Sequence, residues 1–232
     1  MLAPRDEHVT DAYRTLAGRG EADFEVQGSE FVGYATPAPT VEDAEAFVES
    51  VEREHADATH NVPAYRVRVE SGVPDERSES GARGTGRSRG GPGDGYMLRE
   101  YQSDDGEPTG SAGKPALNVL QQQDVENAVV VVTRYYGGTN LGVGGLARAY
   151  SRASKEAIEA AGVVEQRPQE RFTVTVEYDD SGTVRGILES ADCDFDADYG
   201  ETVAFDVTVA SEDAGDLRER IQSATSGRAA VK

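Results

Sequence analysis

Residues 127–155 constrain the fold of this chain more than any other stretch. They begin with an apolar, β-branched run at residues 128–133, which is typical of a strand buried on both faces. A glycine-rich loop follows, and residues 146–161 then favour a helix with Gly162 as its C-terminal cap. This order of strand, loop and helix predicts that unpaired backbone amides at the helix start are available to a ligand.

The charge of this stretch is also unusual. It has no Asp or Glu in 29 residues, whereas the 232-residue chain carries 43 acidic and 23 basic residues and a formal net charge of −20. Its charged side chains are all cationic, and helical spacing places Arg148, Arg152 and Lys155 on one face. We interpret the stretch as an anion site with phosphate as the ligand. The alternative is a tight strand–helix connection whose arginines are solvated.

The residues assigned to this anion or RNA site are loop glycines, two aromatic residues at the strand end and three cations. They are Lys114, Arg134, Tyr135, Tyr136, Gly137, Gly138, Gly142, Gly144, Gly145 and Arg148. We expect one of the two tyrosines to be buried and the other to stack on a base or ring.

Two common phosphate motifs do not account for the loop. Val143 and Gly144 stand where a Walker A loop requires Lys and Ser or Thr. The dinucleotide fingerprint needs its glycines in a tight turn directly after the strand, and here eight residues separate Thr133 from Gly142. A nucleotide cofactor is therefore not predicted, and no other cofactor is assigned.

Composition bounds the class of protein. The acidic excess, with only three lysines among the basic residues, suggests a halophilic protein from a salt-saturated cytoplasm. At about 1 M salt the Debye length is about 3 Å, so only short-range contacts would hold RNA. The single Cys193 excludes an internal disulfide and a cysteine-based metal cage. No apolar run approaches the length of a membrane span, so we expect a cytoplasmic protein with no membrane partner.

The sequence divides into a lead-in at residues 1–20, an N-terminal domain at 21–165 and a C-terminal domain at 170–232. In the N-terminal domain, alternating residues 22–28 and 29–36 predict a hairpin. Thr40 and Asp43 form a capping box for a helix that ends near residue 56. Further strands are predicted at 59–69 and 96–101 and a short helix at 116–123. Residues 74–95 have almost no apolar side chains and predict a disordered insertion.

The C-terminal domain shows the element order β-α-β-β-α-β after a linker at residues 165–169. Its predicted strands are 172–178, 193–199, 203–209 and 228–231, and its predicted helices are 182–190 and 213–223. This order is typical of the split βαβ arrangement of ferredoxin-like domains. We therefore expect an antiparallel sheet with both helices on one face.

A polar turn at residues 103–115, the acidic turn, contains the weaker catalytic candidates Asp104, Asp105 and Glu107. His60 is a fourth candidate. A hydrolytic triad of His60, Asp105 and Ser111 lacks a nucleophile-elbow sequence. His55 and His60 do not have a spacing that fixes two imidazoles on one metal, so no metal site is assigned. In the favoured interpretation the turn hydrogen-bonds its own backbone and pairs with Arg134.

Three segments, residues 54–60, 103–115 and 131–150, together resemble the IMPACT family in its prokaryotic form. The resemblance implies an α+β protein. Its N-terminal domain would have the βαβ fold shared by ribosomal proteins and elongation factor G, and its C-terminal domain would be ferredoxin-like. The insertion at 74–95 and the polar Thr139 and Asn140 depart from the expected family pattern.

The resemblance implies a translation-associated binding protein whose partner is RNA or the ribosome, without an assigned reaction. Two alternatives remain open. One is a hydrolase or transferase that acts on a small phosphorylated ligand through the acidic turn. The other is a regulatory adaptor that binds a protein partner.

Overall fold

The computed structural model describes residues 12–70, with only the backbone of Glu70, and residues 96–232. The predicted insertion at 74–95 and most of the predicted lead-in lie outside the described residues. The chain forms two compact units, one spanning Arg14–Glu165 and one containing Gln166–Lys232. Among the described residues, no helix is both long and apolar enough to cross a membrane.

The described part of the first unit is built on a five-stranded antiparallel sheet. The first seven strands of the chain are β1 (Tyr13–Leu16), β2 (Gly20–Val26), β3 (Ser29–Pro37), β4 (His60–Glu70), β5 (Tyr96–Gln102), β6 (Ala128–Tyr135) and β7 (Val163–Gln166). The sheet has the order β2-β3-β6-β4-β5, and β1 pairs with β7 in a separate two-stranded sheet. β1 and β7 were not predicted. β1 lies near the start of this part of the sequence and β7 near its end, so their pairing is non-local. Strands as short as these also carry little sequence signal for β structure.

A βαβ unit lies at the centre of this sheet. β3 and β4 are each antiparallel to β6, so they run parallel to one another on either side of it. Helix α1 (Val41–Glu54) connects them and begins at the capping box that the sequence predicts, in which Asp43 N donates to Thr40 Oγ1 at 3.1 Å.

The apolar run of β6 is explained by burial on both faces. Val129 and Val131 pack in one core cluster with α1, whereas Val130 and Val132 pack in another with α2 (Gly113–Gln122) and α3 (Gly142–Ala161). α3 approaches the sheet closely at Gly33 of β3, which has no side chain. A Cβ at this position would lie 2.5 Å from the Ala153 carbonyl oxygen. The sheet is therefore a central layer with helices on both sides.

The second unit has the element order β-α-β-β-α-β. Its elements are β8 (Gln169–Val176), α4 (Tyr178–Glu189), β9 (Cys193–Tyr199), β10 (Val203–Ala210), α5 (Ser211–Ala224) and β11 (Ala230–Val231). The strands form an antiparallel sheet in the order β11-β8-β10-β9. Leu188 of α4 and Ile221 of α5 belong to one core cluster with the sheet residues Val174 and Phe205, so both helices cover the same face.

Candidate RNA and anion site

One end of the five-stranded sheet gathers most of the residues that the sequence singled out. β6 ends there, β3 and β4 begin there, and the polar turn after β5 leads there into α2. Hydrogen bonds join these elements across long sequence separations, including Arg134 to Ser29 and Tyr150 to Glu107. The site is therefore built on strand ends and helix starts that the sheet holds in place.

Asp104 in the polar turn caps helix α2. Its two carboxylate oxygens accept hydrogen bonds from the backbone amides of Gly110 at 2.7 Å, Ala112 at 3.1 Å and Gly113 at 2.9 Å. The first amides of a helix have no partner within the helix, and its N-terminus favours a negative charge. This cap starts α2 at Gly113, three residues before the predicted start at residue 116, and it gives Asp104 a structural role.

Asp105 fixes the orientation of His60 and the start of β4. Its carboxylate Oδ2 accepts from the backbone amide of Asn61 at 2.6 Å, and its carbonyl oxygen lies 2.5 Å from His60 Nδ1. A carbonyl can only accept, so Nδ1 carries the proton in this contact. His60 Nε2 then faces Glu107 Oε1 at 3.9 Å.

Glu107, Arg134 and Tyr150 form a buried cluster. Glu107 Oε1 accepts from Arg134 Nη1 at 2.6 Å and from the Tyr150 hydroxyl at 2.8 Å, and Arg134 Nη2 donates to Ser29 Oγ at 3.3 Å. Burial, followed by the charge of Glu107, raises the pKa of Tyr150, so its hydroxyl stays protonated as a donor.

The burial of Arg134 changes the interpretation of this residue. Its side chain is only 6% exposed and neutralises Glu107, whose side chain is 4% exposed. Arg134 therefore turns away from the surface where the sequence analysis expected it to meet phosphate. Its pairing with Glu107 is the contact that the favoured interpretation of that turn expects.

The two tyrosines after Arg134 have different environments. Tyr135 is half-buried, and its hydroxyl lies 2.8 Å from His55 Nδ1, while His55 Nε2 lies 2.7 Å from the Tyr34 hydroxyl. Tyr136 is 44% exposed, and its hydroxyl donates to Asn140 Oδ1 at 3.2 Å. Tyr136 is thus the tyrosine whose ring is available at the surface for stacking.

The five glycines assigned to the loop do not share one role, and three of them, Gly142, Gly144 and Gly145, lie within α3, which begins at Gly142 instead of the predicted residue 146. Gly137 donates its amide to Ser29 Oγ at 3.2 Å, and a Cβ on Gly137 would lie 1.8 Å from the Gly28 carbonyl oxygen. Gly137 therefore packs the loop against the β2–β3 turn. Gly138 and Gly142 have positive φ angles of 88° and 68°, which glycine adopts at little cost. A Cβ on Gly145 would lie 2.9 Å from Leu141 Cβ, whereas Gly144 is exposed.

The start of α3 is open and free of acidic residues. Its N-cap residue Leu141 makes no side-chain capping hydrogen bond, and the first turn of this 20-residue helix contains no Asp or Glu. Gly142, Val143 and Gly144 are exposed there. The Arg148 guanidinium lies over this turn, with Nη1 3.6 Å from the position of a Cβ on Gly144.

Arg148 and Lys114 are the exposed cations of the assigned set. Within residues 12–70 and 96–232, neither side chain forms a hydrogen bond or an ion pair, whereas neighbouring Arg152 pairs with Glu156 and Lys155 with Glu159. In the same ranges no group of three or more His, Cys, Asp or Glu side chains could hold a metal ion. Because Arg148 and Lys114 are exposed and have no partner among the described residues, their charges can pair with an anion.

Ser29 and Tyr150 are structural residues that the sequence analysis did not assign to the site. Tyr150 follows Leu146 by one helical turn on the apolar face of α3, and a buried tyrosine hydroxyl needs a partner. That spacing is a signal for a buried polar contact, although it does not identify Glu107 as the partner.

Comparison with known proteins covers both units of the chain. The family model described as the Impact N-terminal domain matches residues 27–158, which include every residue assigned above. The model described as a domain of unknown function, DUF1949, matches residues 174–228.

Curated relatives and a solved structure match over most of the chain. The IMPACT family member YigZ of Escherichia coli is 34% identical over 72% of this chain and 71% of its own length. The IMPACT family member YvyE of Bacillus subtilis is 29% identical over 95% of this chain and 90% of its own length. A crystal structure of a hypothetical protein superposes with a TM-score of 0.62 at 28% identity, covering 96% of this chain and 97% of the other.

Proposed function

Because the chain belongs to the IMPACT family, we propose that it is a translation-associated binding protein that engages RNA or ribosome phosphate through the start of α3. As part of this proposal, the first unit has the βαβ fold shared by ribosomal proteins and elongation factor G, which the β3–α1–β4 connection supports. The second unit is ferredoxin-like, which its sheet order β11-β8-β10-β9 supports.

The open start of α3 is the observation that carries the proposal. In a chain of net charge −20, this helix begins with exposed glycines, no acidic residue in its first turn and an unpaired arginine above it. Free amides and the helix dipole favour an anion at this position, and a guanidinium adds charge-assisted hydrogen bonds to phosphate oxygens. These contacts act at short range, so they persist at high salt.

The assigned residues fall into a contacting set and a supporting set. Lys114, Tyr136, Gly142, Gly144 and Arg148 are exposed and contact the RNA in this proposal. The supporting set lies beside them; within it Gly137 packs the loop against the β2–β3 turn and Arg134 pairs with Glu107 of the acidic turn. Its members are Arg134, Tyr135, Gly137, Gly138 and Gly145.

We propose a structural role for the acidic turn. Asp104 and Asp105 accept hydrogen bonds from backbone amides, and Glu107 is engaged by Arg134 and Tyr150. These contacts are the ones expected of carboxylates that stabilise a fold. We therefore propose no reaction for Asp104, Asp105, Glu107 and His60.

Fluorescence anisotropy with a labelled single-stranded RNA in multi-molar KCl tests the proposal. Replacing Arg148 by Ala removes a charge-assisted contact and should weaken binding about tenfold. Arg171→Ala is the matched control, because Arg171 is an exposed arginine of the second unit that forms no ion pair with a described residue.

Binding by the folded Arg148→Ala variant at the wild-type affinity would reject α3 as the phosphate site. A protein that co-purifies from native lysate and stays bound after nuclease treatment, with no RNA binding by the pure chain, would support the adaptor alternative instead.

A further inference from the structure

A groove beside the start of α3 has a chemical character of its own. It encloses about 200 Å³ between strand β2, the β2–β3 turn and α3. Its lining combines apolar side chains with two arginines and contains no carboxylate; the residues are Phe24, Val26, Gln27, Leu141, Gly145, Arg148, Ala149 and Arg152. An apolar cleft with cations at its edge suits a ligand that is both flat and negatively charged.

Stacked groups form one wall of this groove. Phe31 and Phe24 stack with ring centroids 5.5 Å apart and an interplanar angle of 10°, and the Arg152 guanidinium lies 4.0 Å from the Phe24 centroid. Phe31 is buried, whereas the Arg152 side chain is 55% exposed. The stack of Phe31, Phe24 and Arg152 therefore ends at the surface in the planar guanidinium of Arg152. A further planar group can stack on this guanidinium.

We propose that this groove receives one unpaired base of single-stranded RNA, whose phosphate lies at the start of α3. The inference rests on the proposed function and specifies the class of RNA. Gly145 and Arg148 connect the two parts, because they line the groove and also belong to the first two turns of α3. The base stacks against Arg152 while Arg148 contacts the adjacent phosphate.

The size of the groove supports a single base. A volume of about 200 Å³ is below the roughly 300–1,000 Å³ of pockets that enclose a drug-sized ligand. One ring system fits, with the sugar and phosphate outside. Bases within an RNA duplex are stacked and paired, so only a single strand, loop or end can place a base there.

The groove also predicts weak sequence preference. Its walls are mainly apolar. Apart from the two arginines, the polar side chain in its lining is that of Gln27, which is exposed in the β2–β3 turn. Stacking tolerates every base because each has a π face, whereas base discrimination needs several hydrogen bonds to base edges.

The test compares two labelled single-stranded oligomers of equal length and charge, one with bases and one abasic. Wild-type protein should bind the base-containing oligomer about tenfold more tightly, which corresponds to one stacked base. Arg152→Lys keeps the charge but removes the planar group, so in a Tyr136→Ala background, where the other proposed stacking ring is absent, it should abolish this preference. Arg148→Ala should weaken binding to both oligomers.

Arg185→Lys is the matched control, because Arg185 also pairs at i+4, with Glu189, and lies 5.9 Å from the Phe195 centroid. Wild-type binding to both oligomers with equal affinity would overturn the base groove and leave the proposed function standing. A folded Arg152→Lys variant in the Tyr136→Ala background that retains the preference for bases would likewise overturn the groove alone. No binding to either oligomer would overturn the proposed function and the groove with it.

Discussion

Arg134 Nη1 donates to Glu107 Oε1 across 2.6 Å, and both side chains are almost entirely buried. In the sequence these residues belong to two different hypotheses, one for an anion site and one for a catalytic turn. In the structure each neutralises the other, and together with Tyr150 and Ser29 they join α3, β6 and the acidic turn. In the proposed function this buried pair therefore supports the site and does not contact the RNA.

Glu107→Ala should destabilise the first unit strongly. The substitution leaves the Arg134 guanidinium buried without its counter-charge, which typically costs about 3–5 kcal/mol. Urea unfolding in KCl measures the loss. Glu54→Ala provides the control, because the Arg19–Glu54 pair has side chains 52% and 58% exposed and should be worth no more than about 1 kcal/mol. Equal losses in the two variants would contradict the assignment of Arg134 and Glu107 as a structural pair.

Asp104→Ala should destabilise the start of α2. Three backbone amides lose their acceptor, and removal of a helix cap costs about 0.5–2 kcal/mol. Hydrogen exchange should speed up first at Gly110, Ala112 and Gly113. Asp23→Ala changes an exposed carboxylate on β2 and should leave these amides protected. Unchanged exchange in Asp104→Ala would argue against the capping role.

Gly137→Ala should be destabilising and should displace the loop that precedes α3. The new Cβ would lie 1.8 Å from the Gly28 carbonyl oxygen, and two backbone segments must then move apart. Gly215→Ala offers a contrast, because a Cβ there meets nothing within 4 Å inside α5 and should stabilise by about 0.5–1 kcal/mol. Thermal unfolding of both variants measures the two effects, and a stable Gly137→Ala would show that the close packing on Gly28 is not required.

Asp196→Asn should stabilise the second unit at low salt. Asp196 of β9 lies directly opposite Asp206 of β10, and like charges in this position oppose pairing by about 0.2–1 kcal/mol. The gain should vanish in multi-molar KCl, where charges are screened. Asp213→Asn should instead destabilise the second unit, because a carboxylate in the first turn of α5 is favourable to the helix. A gain for Asp196→Asn that is independent of salt would contradict the electrostatic explanation and weaken the proposed adaptation to a salt-rich environment.

The free energy of unfolding of the first unit should fall as the pH rises from about 10 to about 12. Burial, followed by nearby glutamates, raises the pKa of Tyr34 from 10.0 to about 12, and burial followed by Glu45 raises that of Tyr65 to about 12. The unfolded chain therefore loses these protons first, so the contribution is complete below pH 10 and is lost toward pH 12. Absorbance titration of tyrosinate measures the ionisation, and Tyr65→Phe should flatten the pH dependence of unfolding. A wild-type titration at the ordinary pKa throughout would contradict the burial argument.

Local signals predicted much of the fold. The capping box of Thr40 and Asp43 starts α1 where the sequence places it, and the apolar run of β6 is buried on both faces. The elements of the second unit follow the predicted order, although α4 begins at Tyr178 instead of residue 182. The pairing of β1 with β7 was not predicted, because it joins short segments from opposite ends of the unit.

The sequence by itself determined the order of strand, loop and helix and the stretch 127–155 that lacks Asp and Glu, because periodicity, glycine content and charge are properties of neighbouring residues. Only the tertiary structure decided which side chains meet. It turned Arg134 inward to Glu107, used Asp104 to cap a helix nine residues away, and placed Phe24 beside Arg152. These partners are distant along the chain, and a charged side chain has the same local sequence signal whether it is buried in a pair or exposed. The packing of α3 on the sheet distinguishes the two cases, and it leaves Arg148 exposed above the helix start.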